Sequence, residues 1–74
     1  MEEARPTGIM REDVHELSEV HFEGQRAQLF HARTDASKGV ERVMLGLDTE
    51  GGRIALYGYF KGAEFMEVNR ERLD

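Results

Sequence analysis

Residues 47–60 read LDTEGGRIALYGYF: two adjacent glycines, then a run in which apolar side chains alternate with small or aromatic ones. This stretch decides the fold, because it admits three different readings. A phosphate loop needs Gly, four residues and then Gly-Lys-Ser/Thr ahead of a helix, so that amides and an ammonium group surround the phosphates. Here Gly51-Gly52 is followed by Arg53 and a strand-like run, and Asp48 and Glu50 put negative charge into the turn. No helix opens after the glycines, so a dinucleotide fingerprint fails as well. A hairpin accounts for all of it, with glycines supplying positive φ between two strands. On the second strand Ile54, Leu56 and Phe60, with Gly58 among them, share the more apolar face. Ala55, Tyr57 and Tyr59 share the other.

Working outward, the period of two continues on both sides. Upstream, Val43, Leu45 and Leu47 of VERVMLGL fall on one face. EVHF puts Val20 and Phe22 on one side, and EGQR follows with Gly24 suited to a tight turn. AQLFHAR sets Ala27, Leu29 and His31 opposite Gln28, Phe30 and Ala32. TDASKG, residues 34–39, is turn chemistry. Downstream, Lys61-Gly62 breaks the run, and AEFMEVN, residues 63–69, reads as a fifth strand with Met66 and Val68 together. The same tail, residues 63–73, also fits an amphipathic helix, which would make the fold α+β. Near the start, Met10, Val14, Leu17 and His21 recur at helical spacing, so a short helix is expected near 9–18. Residues 1–8, with Pro6 and Gly8, read as a flexible end ahead of a single domain over 9–74. The expected fold is all-β: a small antiparallel meander of about five strands, curled into an SH3-like, partly open barrel because flat sheets leave exposed edges.

Composition limits the function classes. The chain has 74 residues and no cysteine. Disulfides, thiolate metal sites and thiol catalysis are therefore excluded, and the core is thin. The N-terminus, MEEARPTG, lacks the basic start and apolar centre of a signal peptide, and no apolar run is long enough to span a membrane. A cytoplasmic location is expected. Net charge is −5, and residues 1–23 carry the whole imbalance, with seven acids against two bases. Such an arm attracts basic surfaces and repels nucleic acid.

The candidate sites follow from these patterns. Paired tyrosines on an open sheet face are how RNA-recognition and cold-shock folds stack bases. The window Ala55-Leu56-Tyr57-Gly58-Tyr59-Phe60 keeps only the aromatic-Gly-aromatic centre of that consensus. It lacks the basic residue and the first glycine, and nearby cations are few. Single-stranded RNA or DNA binding through Tyr57 and Tyr59 is thus the alternative, and a protein partner the leading expectation, since tyrosine is enriched in interface cores. His21 and His31 could meet across the first hairpin and hold zinc with Glu19 or Glu23, although their spacing is not that of a metal motif. Ser18 and Ser37 sit in no nucleophile elbow, so no enzyme activity, cofactor or metal is expected. The expected function is non-enzymatic binding to a protein with a basic surface, as interaction module or inhibitor, with a homodimer as one form. Tyr57 and Tyr59 would be the anchor, and Glu12, Asp13, Glu16 and Glu19 the acidic rim.

Overall fold

A computed structural model describes residues 3–15, 17–35 and 41–73. It contains six strands: β1 (Arg5–Met10), β2 (Glu19–Phe22), β3 (Gln25–Asp35), β4 (Arg42–Thr49), β5 (Gly52–Lys61) and β6 (Glu64–Arg72). They form one antiparallel sheet in the order β1-β6-β5-β4-β3-β2. From β2 to β6 each strand pairs with the next, and β1 returns to lie beside β6. The two edge strands, β1 and β2, then approach one another without a ladder between them, so the sheet is a nearly closed barrel.

The alternation read from the sequence builds the inner face. Val20, Phe22, Ala27, Leu29, Val43, Leu45, Leu47 and Leu56 are buried there, with Ile54 and Phe60 packed against them. Phe65 of β6 and Ile9 of β1 complete the core, and Phe65 meets Phe60 edge to face at 5.5 Å. The β2–β3 turn is the two-residue Glu23-Gly24, both with positive φ (52° and 78°), the combination a tight hairpin needs.

Four expectations are corrected. The helix near 9–18 is a strand followed by a single 3-10 turn, Arg11–Asp13. Ile9 enters the core as a strand residue, and Leu17 takes a left-handed φ of 65° that no helix tolerates. Residues 5–8, expected to be flexible, belong to β1. Thr7 Oγ1 donates to the Phe65 carbonyl (2.8 Å), and the Gly8 amide donates to Glu64 Oε2 (3.1 Å). Pro6 is tolerated because β1 is an edge. The tail over 63–73 is the strand of the leading reading and not the alternative helix, but Met66 and Val68 do not share its buried face. Its buried members are Phe65 and Glu67, whereas Met66 lies opposite Tyr59 and Val68 is the extra residue of a bulge. Finally, a bulge at Phe30 shifts the phase of β3, so His31 stands opposite Gly46 and leaves the face of Ala27 and Leu29.

That bulge builds a small outer cluster. The Phe30 ring lies over Gly46 so closely that a Cβ there would come within 2.7 Å of it, and the Arg53 guanidinium stacks 5.1 Å above the ring. Gly46→Ala should force the ring to tilt and cost about 1 kcal/mol, measured by urea unfolding. An unchanged midpoint would show that the ring moves freely.

Candidate functional site

Three successive pairings carry one row of side chains across the outer face. Arg33 of β3 stands opposite Met44 of β4, Met44 opposite Tyr57 of β5, and Tyr57 opposite Asn69 of β6. Beyond this row the floor drops to the backbone at Val43 and Gly58, which are themselves paired. Asp35 and Arg42, another facing pair, border the far side, and the bulged Val68 closes one end. The result is an open groove of about 380 Å³. Its walls are mostly apolar, with two guanidinium groups and one carboxylate among them.

The groove depends on two local features. Gly58 lets β6 approach so closely that a Cβ there would strike the Met66 carbonyl, and Val68 is displaced because β6 spends one extra residue between the partners of Tyr57 and Gly58. Tyr57 is 38% exposed, one of the few large apolar side chains left open to solvent. Tyr59 shares its face but is half-buried. It lies opposite Met66, which in turn lies opposite Pro6 of β1. The two tyrosines are therefore not equivalent: this chain partly covers Tyr59 and leaves Tyr57 available.

The acidic residues are placed elsewhere. Glu12 and Asp13 are exposed on the 3-10 turn, and Glu19 is exposed at the head of β2, 4.0 Å from Arg26. None of these lines the groove. Glu16 lies outside the described residues. The turn is anchored by Arg11, whose guanidinium sits 4.3 Å over the Phe60 ring and 3.7 Å from Glu41. The histidines do not converge. His21 stands opposite Arg26 on the β2–β3 hairpin, while His31 lies past the end of that ladder. Among the described residues no group of three His, Asp or Glu side chains could hold a metal ion.

One polar cluster was not foreseen. Glu67 is 3% exposed, its carboxylate turned into the seam between β1 and β2. Arg70 donates to it twice, through Nε and Nη2, at 2.7 Å each, and Nη2 also reaches Glu23 Oε1 at 2.8 Å. Arg5 approaches from β1 at 3.9 Å. Arg70 also lies 5.2 Å over the Phe22 ring, so one side chain ties β6 to the β2–β3 hairpin across the open side of the barrel. Hydrogen bonding to Glu67 pushes the Arg70 pKa further above its ordinary range. Partial burial opposes this, and Glu23 adds a smaller push in the same direction. A cation this firmly held is a structural clasp. Only a charged pair three positions apart in a strand hints at it, and that spacing is common.

Among the described residues no helix is long and apolar enough to cross a membrane. No protein-family model matches the chain, and neither a curated protein nor a solved structure matches it.

Proposed function

We propose that this chain is a non-enzymatic protein-binding domain, a small barrel of SH3-like size that presents the Tyr57 groove to its partner. The observation that carries this reading is the exposure of Tyr57 over a groove walled by Met44 and Val68, with hydrogen-bonding groups at Asn69, Arg33 and Arg42. Such a site suits an apolar or aromatic knob bearing a polar tip. Tyr59, already half covered, supports the face without anchoring it. Glu12, Asp13 and Glu19 act at a distance, raising the encounter rate with a basic surface rather than contributing contacts in the groove.

The test places a photo-crosslinking amino acid at position 57 and, as control, at Arg26, an exposed residue outside the groove. A discrete crosslinked protein at 57 and not at 26 is expected. With that partner in hand, Tyr57→Ala should weaken binding by about 30-fold or more while leaving the melting temperature nearly unchanged. Identical products at both positions would overturn the assignment. Single-stranded RNA or DNA is the second reading, favoured by Arg33 and Arg42 flanking the same tyrosine. Micromolar binding of a labelled oligonucleotide at low salt, abolished by Tyr57→Ala, would replace the protein partner with a nucleic acid.

A further inference from the structure

β3 has eleven residues, and β2 covers only its first four. The Leu29 amide donates to the Ser18 carbonyl (2.8 Å), and with that bond the pairing on this side ends. The other side of β3 stays paired to β4 as far as Asp35. Backbone directions then follow by alternation. Leu29 points toward β2, the bulge at Phe30 consumes one residue, and Ala32 and Thr34 next turn their N–H and C=O groups outward. These four groups have no partner among the described residues, and both side chains are exposed. No proline interrupts the stretch and nothing described covers it, although edge strands are commonly blunted in one of these ways.

A second feature stands at the head of this edge. Leu17 immediately precedes Ser18, holds φ at 65° and is 63% exposed. The loop that presents it is fixed by Ser18 Oγ, which lies 2.8 Å from the Asp13 carbonyl and 2.7 Å from that of His15, and accepts the His15 amide. A large apolar side chain is thus held in solvent in a costly backbone conformation, where it is free to meet a partner.

We propose that the open edge of β3 pairs antiparallel with the same edge of a second copy of this chain. The pattern is self-complementary. With Ala32 opposite Thr34 of the copy, and Thr34 opposite its Ala32, all four outward groups of each chain are satisfied by one two-fold axis at Arg33. The same register sets His31 against Asp35 twice and places each Arg33 between two Asp35 carboxylates, which offsets the meeting of the two guanidinium groups. Leu17 of each copy then stands at the end of the new ladder, beyond the pair formed by His31 and the copy's Asp35. This contact borders the Tyr57 groove, sharing Arg33 and Asp35 with its rim, but it does not use Tyr57 itself. It joins the two sheets into one and leaves Met44, Tyr57 and Asn69 outside the new ladder.

The experiment combines sedimentation equilibrium with amide hydrogen exchange across a concentration series. The mass should rise with concentration from 8.5 kDa toward twice that value. The Ala32 and Thr34 amides should gain protection in step with it. Thr34→Pro removes one outward N–H and should weaken association by about tenfold or more. If that variant fails to fold, Asp35→Arg, a change at an exposed side chain, should weaken association by setting three basic side chains along each strand. A monomer at about millimolar concentration would overturn the proposal. A dimer whose Ala32 and Thr34 amides still exchange freely would also overturn it, by placing the contact on another face such as the Tyr57 groove. Protection of these amides only by an added unrelated peptide would overturn the choice of occupant.

Discussion

Gly58→Ala should lower stability by about 3 kcal/mol, enough to leave a domain of this size close to unfolded at 25 °C. The reason is a backbone contact. A Cβ on residue 58 would run into the carbonyl of Met66 and come within 3.2 Å of the Glu67 Cα, all in the paired strand β6. Side-chain clashes can be relieved by rotation, but a clash with a neighbouring strand requires the ladder to open. The opening would fall beside the Val68 bulge and beside Glu67, whose buried carboxylate needs the surrounding geometry intact. The melting temperature should drop by roughly 10 to 20 °C. Gly51→Ala is the matched control. The nearest atom to its Cβ is Thr49 Oγ1 at 3.8 Å, so this change should be neutral or stabilising by a few tenths of a kcal/mol. Equal melting temperatures for the two variants would mean that β5 and β6 do not approach as closely as the pairing demands. Because Gly58 is also the floor of the Tyr57 groove, residual folded variant should bind a partner more weakly than wild type.

The parts of this fold legible in the sequence are those where a strand runs without interruption over one buried face. Val43, Leu45 and Leu47, and Ile54, Leu56 and Phe60, alternate cleanly because β4 and β5 lie at the centre of the sheet and pair with each other in constant register. The Glu23-Gly24 turn is legible because a two-residue hairpin requires positive φ and glycine supplies it without strain. What escapes is every event that changes phase by one residue. The bulges at Phe30 and Val68 have no local signature, yet the first moves His31 to the outer face and the second exchanges the inward members of β6. β1 is illegible for a different reason. Pro6 and Gly8 break its own pattern, and the strand exists only because β6, some sixty positions away, offers it a partner. The same distinction governs the site. Two tyrosines on one face can be read from β5 alone. The groove that makes Tyr57 the open one cannot, since it draws on four strands and on a bulge. Glu67 is the clearest miss, because an inward carboxylate contradicts the alternation that identifies a strand and is stable only through Arg70.

Arg70→Ala should therefore be the second most damaging substitution, although a third of the arginine side chain is exposed. Among the described residues its removal leaves Glu67, 4% exposed at the side chain, with only the Arg5 guanidinium as a cation nearby, at 3.9 Å. It also frees the carboxylate of Glu23, which sits in the β2–β3 turn with a left-handed φ of 52°. An uncompensated buried charge costs about 3 to 5 kcal/mol. Access of water through the seam reduces this, so a loss of about 2 to 3 kcal/mol is expected. The double variant Glu67→Met/Arg70→Met separates the buried charge from the lost stacking on Phe22. Replacing both partners removes the buried charge altogether and should recover most of the stability lost in Arg70→Ala. If it recovers none, the bridge from β6 to the hairpin stabilises the barrel beyond neutralising Glu67. The single side chain of Arg70 would then be what holds the unpaired seam between β1 and β2 together.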